Sequence, residues 1–172
     1  MILVFTGNGK GKTTASLGQA VRALGQNKKV LIIQFIKGPW ISGEDIFAKK
    51  LKNIEIIKTG KGFVKILGDK LPFKDHKNSA KYGLELAKKA VKSKKYDLII
   101  LDEINNAVEL KLLSSKEIFK LLDNFPKNSD IILTGRNAPK SFIKIADLVT
   151  EMREIKHPFQ KNKKSTKKGI EY

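Results

Sequence analysis

The chain has 172 residues, 41% of them hydrophobic, and it has no cysteine. This is the length and composition of one globular domain with a single core, and it excludes disulfides, thiolate metal sites and a cysteine nucleophile. Lys and Arg number 35 against 17 Asp and Glu, a net charge of +18 that attracts polyanions.

The N-terminus opens on a short apolar run, Ile2 to Phe5, with the composition of a buried strand. Thr6 to Gly11 follows, with glycines at 7, 9 and 11, and then Lys12, Thr13 and Thr14. Residues 13 to 25 read as a helix, with Ala15, Leu17, Ala20, Val21 and Leu24 at helical spacing and Gly25 as its C′ residue. A second strand spans Lys29 to Phe35 and runs into Gly38-Pro39, which breaks it. Ser42 caps a helix from Gly43 to Leu51 with Glu44 and Asp45 in its first turn, and Asn53 to Thr59 is a third strand.

Residues 60 to 74 form a long loop with Phe63, Leu67 and Phe73, and loops of that length are usually functional. Asp75 to Ser93 is the longest helix, with His76 expected at its surface. Tyr96 to Leu101 is a fourth strand that ends in Asp102-Glu103. Short helices follow over residues 105–110 and from Ser114 or Ser115 to Leu122. Ser129 to Thr134 is a fifth strand, Lys140 to Ala146 a helix, and Asp147 to Arg153 a sixth strand. The predicted fold is α/β, a single three-layer domain with a mainly parallel six-stranded sheet. Residues 1–155 make the nucleotide-binding domain, and 156–172 a tail expected to pack on or near the active site.

Strand, glycine-rich loop, Lys-Thr and helix make the context of a phosphate-binding loop. Thr6, Gly7, Asn8, Gly9, Lys10, Gly11, Lys12, Thr13 and Thr14 are its expected ATP-binding residues. Successive N–H groups turn inward around an anion, and the helix adds its positive end. Lys12 brings a point charge to the phosphates. Thr6 stands where the usual pattern has glycine, so Gly7 is expected to take over the turn. Four apolar residues, Leu98 to Leu101, deliver Asp102 and Glu103 to a strand tip. With Thr13 they form an expected Mg²⁺ site, since that ion takes a few hard oxygen ligands and keeps several waters. Sequence leaves open which of the two carboxylates binds directly. Lys37, Glu44, Phe63, Arg136 and Asn137 follow other strands, at the sheet edge where ligands of such folds bind. Neither histidine, His76 or His157, lies in a metal-ligand spacing.

Taken in order, the motifs resemble one family. Thr6-Gly-Asn-Gly-Lys-Gly-Lys-Thr-Thr14 looks like the opening of the corrinoid (cob(I)alamin) adenosyltransferases of the RecA-like P-loop type. Gln34-Phe-Ile-Lys-Gly38, Leu101-Asp-Glu-Ile-Asn105, Leu133-Thr-Gly-Arg-Asn-Ala-Pro139 and Thr150-Glu-Met-Arg153 match it as well, as do Lys156-His-Pro-Phe159 and Gly169-Ile-Glu-Tyr172. The resemblance implies transfer of the 5′-deoxyadenosyl group of ATP to Co(I) of a corrinoid, cob(I)alamin or cob(I)yrinic acid a,c-diamide, with release of triphosphate. It implies Mg²⁺ or Mn²⁺, a homodimer and a reduced flavoprotein electron donor. Lys12, Glu103 and Phe63 become the catalytic set, Arg136 joins the ATP site, and Phe63 with Lys65 faces the corrinoid. The family often carries an aromatic at the position of Lys65.

Two other readings use the same residues: a RecA-like NTPase or γ-phosphate kinase, and a nucleic-acid-binding protein switched by ATP. Only Arg22, Arg136 and Arg153 among the basic residues are arginines, the type favoured for base reading, so no specific nucleic-acid partner is expected. No signal peptide or membrane span is read, and a cytoplasmic enzyme is expected.

Overall fold

The computed structural model describes residues 1–66, 68–123, 125–157 and 167–170. Among them, six strands alternate with helices: β1 (Ile2–Thr6), α1 (Lys12–Leu24), β2 (Val30–Gln34), α2 (Gly43–Ala48), β3 (Ile54–Lys58), α3 (Phe73–Ser93), β4 (Leu98–Asp102), α4 (Ile104–Glu109), α5 (Ser115–Asp123), β5 (Asp130–Thr134), α6 (Lys140–Ile145) and β6 (Leu148–Glu151). The strands form one sheet in the order β3-β2-β4-β5-β1-β6, and every pairing is parallel. Helical crossovers put helices on both faces, which is why the central strands are continuous apolar runs and not alternating ones.

Side chains alternate along each strand and divide the core in two. Leu31, Ile33, Ile99, Leu101, Ile131 and Leu133 face one side, packed with Leu84 of α3, Ile104 of α4, Ile118 of α5 and Phe142 of α6. Val30, Ile32, Leu98, Ile100 and Ile132 face the other, where α1 packs through Leu17, Ala20 and Leu24. The second face is the thinner one. Val21 and Phe47 stay exposed there, beside the half-buried Ile54 and Ile56 of the outer strand.

Two local expectations are corrected. Gly25 has right-handed torsion angles (φ −61°), and the left-handed residue after α1 is Asn27 (φ 58°). His76 is buried, 3% exposed, because it lies one turn before Ala80 on the face of α3 that carries Leu84 and Ala87 into the core. Leu67, Pro158, Phe159, Glu171 and Tyr172 lie outside the described residues.

Candidate active site

The parallel register sets one row of residues at the carboxyl edge of the sheet. Gln34 of β2 pairs with Asp102 of β4, and Thr134 of β5 stands opposite Phe5 of β1. Gln34, Asp102 and Thr134 each follow by two residues an isoleucine of the α1 face, Ile32, Ile100 and Ile132. Alternation therefore points all three toward the N-terminus of α1. They are almost wholly buried, at 1%, 1% and 0% exposure. Buried polar groups need partners. Asp102 supplies them: Oδ1 accepts from Thr13 Oγ1 (2.8 Å) and Thr134 Oγ1 (2.7 Å), and Oδ2 from Gln34 Nε2 (3.2 Å). Because β5 lies between β1 and β4, those two strands are roughly 9–10 Å apart. Thr13 and Thr134 bridge that gap and fix the phosphate loop against the acidic tip. Sequence reading had singled out Thr13 and Asp102 but not Gln34 or Thr134 as site residues. The one local signal is that both polar residues end apolar strands.

The loop itself is shaped from two sides. Inside, Lys12 Nζ donates to the carbonyls of Gly7 (2.8 Å) and Gly9 (2.6 Å). Outside, the chain leaving β6 passes against it: Met152 N–H donates to Thr6 (2.8 Å), and the Met152 carbonyl accepts from Gly9 N–H (2.7 Å). A Cβ at Gly7 or Gly9 would lie 2.4 or 2.7 Å from the Met152 carbonyl oxygen, so only glycine permits the approach. Gly7 also makes the turn at φ 94°, and Thr6 Oγ1 accepts from Ala138 N–H (3.1 Å). Burial lowers the Lys12 ammonium below the usual lysine range, with Arg136 adding to the effect and Glu103, Asp102 and Glu154 opposing it.

Glu103 leaves β4 in a left-handed conformation (φ 61°), and its N–H donates to Thr134 Oγ1 (2.9 Å). Burial, and next the Asp102 carboxylate, push its carboxyl up to about 7, against the pull of Lys37, Lys12 and Arg136. A pair of carboxylates that repel in this way beside a hydroxyl fits a divalent cation. No cluster of three His, Cys, Asp or Glu side chains is present among the described residues, so such an ion would complete its shell with phosphate and water oxygens, as Mg²⁺ does. Lys37 pairs with Glu44 across the opposite wall. That contact holds the Glu44 carboxyl below the usual range, although burial alone would raise it.

Of these groups, Lys12, Thr13, Lys37, Glu44, Glu103 and Arg136 line a cleft of about 1280 Å³. Asn8 to Thr14, Glu103, Arg136 and Asn137 give it a polar lining, and Phe63, Val64 and Ile66 of the loop after β3 an apolar one, together with Val21, Phe47, Ile54 and Ile56. Phe63 is 51% exposed, and Val64 is buried. Lys65 points elsewhere, with Nζ 4.4 Å from the centre of the Phe73 ring. Gly169 and Ile170 also line the cleft, and Lys10 Nζ donates to the Ile170 carbonyl (2.8 Å).

A phosphate loop latched to an acidic strand tip is common to many nucleotide enzymes, so comparison with known proteins decides among them. The sequence model of the family described as ATP:corrinoid adenosyltransferase BtuR/CobO/CobP matches residues 1–172. The chain belongs to this family. The corrinoid adenosyltransferase of Escherichia coli (strain K12) is 34% identical over 173 residues, which cover 100% of this chain and 85% of the relative. Corrinoid adenosyltransferase CobA of Salmonella typhimurium is 33% identical over 178 residues, with the same two coverages. The corrinoid adenosyltransferase of Pseudomonas aeruginosa is 32% identical over 173 residues, covering 100% of this chain and 83% of the relative. An adenosyltransferase of this class is a transferase, and the α/β sheet found here agrees with the P-loop fold that the motifs imply.

Proposed function

We propose that the cleft binds ATP against its polar lining and a corrinoid against its apolar lining, and that the adenosyl group crosses between them. The observation that carries this reading is the presence of both linings in one cleft, with the phosphate loop and Phe63 on its walls. Co(I) of the corrinoid supplies the electron pair. A Co–C5′ bond forms, the C5′–O5′ bond breaks, and triphosphate leaves with its electrons while cobalt becomes Co(III). The protein's task is then to orient two large substrates and to stabilise the leaving group. Orientation alone contributes about 7–11 kcal/mol in well-aligned systems.

Lys12, the amides of residues 7–14 and Arg136 face the developing charge of the triphosphate. Thr13 and Glu103 would hold Mg²⁺ or Mn²⁺, with Asp102 behind them, its oxygens already engaged by Thr13, Thr134 and Gln34. The ion would share the triphosphate charge. Phe63 presents an apolar surface that favours loss of the lower axial ligand of Co(II), leaving an ion that is easier to reduce. The reductant is read as a reduced flavoprotein and the assembly as a homodimer. A cytoplasmic location fits the cysteine-free sequence, and no helix among the described residues is long and apolar enough to cross a membrane.

Product analysis tests the reading. Triphosphate together with a Co–C bond supports it. ADP with phosphate would make the chain an NTPase or kinase, and turnover only with polynucleotide would make it a nucleic-acid switch. Lys12→Ala is expected to lower adenosylation by about 10²–10³-fold or more, the cost of losing a preorganised charge partner, with the fold intact. Activity at the wild-type level in this variant would remove the phosphate loop from the mechanism.

A further inference from the structure

The loop that presents Phe63 is held by two side chains of the first turn of α3. Phe73 and His76 are three residues apart and so share one face of the helix. Lys65 Nζ lies over the Phe73 ring, and His76 Nε2 stands 3.0 Å from Asp69 Oδ2 and 3.1 Å from Oδ1. The same carboxylate accepts from the backbone N–H of Lys65 (2.8 Å) and of Leu71 (3.0 Å). Asp69 thus ties both limbs of residues 65–71 to α3. The pair is shielded, with side chains 2% and 6% exposed. An ionised carboxylate only accepts, so Nε2 carries the proton. On either side of the first tie, Phe63 and Ile66 line the cleft, while Val64 enters the core and Lys65 turns to α3.

We infer that Asp69 and His76 are positioning residues for the corrinoid-binding lining of the cleft. Neither lines it. They act through the loop, by fixing the height and direction of Phe63 and Ile66. The inference rests on the proposed reading of Phe63, and it separates the two substrates: the clasp should govern corrinoid binding and leave ATP binding alone. It also accounts for a buried histidine that the phosphate and metal chemistry does not use.

The test compares His76→Leu with His76→Gln, whose amide nitrogen can restore the hydrogen bond to Asp69. Amide hydrogen exchange, urea melting, and separate KM values for ATP and the Co(I) corrinoid would be measured on the full chain. In the Leu variant, Lys65 and Leu71 amides should exchange at least about tenfold faster, and corrinoid KM should rise by about tenfold while ATP KM stays within about twofold. The Gln variant should return both to near wild type. Unchanged exchange at Lys65 and Leu71 would overturn the clasp. Faster exchange with unchanged corrinoid KM would overturn its role in positioning, and equal rises in both KM values would reduce it to general damage. Failure of the wild-type chain to form any Co–C bond would instead defeat the proposed function, and the exchange data would still judge the clasp.

Discussion

Glu103 combines two unfavourable features at one position. A left-handed conformation costs a non-glycine residue about 1–2 kcal/mol, and burial beside Asp102 raises its carboxyl to about 7. The sign of the second effect is fixed by linkage. In the unfolded chain the group ionises near its ordinary value, and in the fold only near 7, so the folded state holds the proton longer. Metal-free protein should therefore lose stability as pH rises between those values, by on the order of 1–3 kcal/mol. Glu103→Gln should flatten that slope in urea melts from pH 5 to 8, and should weaken the Mg²⁺ dependence of turnover. An unchanged slope would mean that the carboxyl ionises freely. Lys12, Thr13, Asp102 and Glu103 were legible because each sits in a local pattern. Gln34 and Thr134 were not, since their part in the site arises from strand register across the sheet. His76 was misread for a related reason: its partner, Asp69, lies in a loop whose path no periodicity describes.

At the scale of elements, the order and type of every strand and helix followed from apolar runs and helical spacing. Ends differ by a residue or two, and by three at the C-terminus of α2, which stops at Ala48 and not Leu51. The helix α2 shows what holds an element with little apolar face. It has six residues, none of them buried. Asp45 stabilises it: the carboxylate accepts from Ser42 N–H (2.6 Å) and Ser42 Oγ (2.8 Å) and pairs with Lys58 on β3. Burial alone would raise that carboxyl, but the bonds from Lys58 and Ser42 outweigh it and hold it below the usual range. The contribution is therefore present at neutral pH and lost as pH falls through the depressed value. Asp45→Ala should cost about 0.5–2 kcal/mol, as for loss of a helix cap. Hydrogen exchange should show the loss first in residues 43–48. Equal exchange rates in variant and wild type would show that α2 does not depend on the cap.

For the whole molecule, the charge of +18 comes almost entirely from lysine. Binding to duplex DNA is therefore expected to be weak, with a Kd of about 10⁻⁴–10⁻⁶ M at physiological salt, falling by about 10³-fold or more between roughly 50 and 200 mM salt. Tight, sequence-selective binding in a filter or fluorescence assay at physiological salt would contradict this. The contact of Met152 with Gly7 and Gly9 carries a different consequence, one of timing. The phosphate loop is synthesised well before β6, yet the backbone that shapes its outer side is Met152, just after that strand. At about 5–20 residues per second, a nascent chain carries the loop for roughly ten seconds before that backbone exists. The loop thus takes its final shape only once the sheet is finished, and a chain halted before β6 is expected to bind ATP more weakly than the full chain in a nucleotide-binding assay.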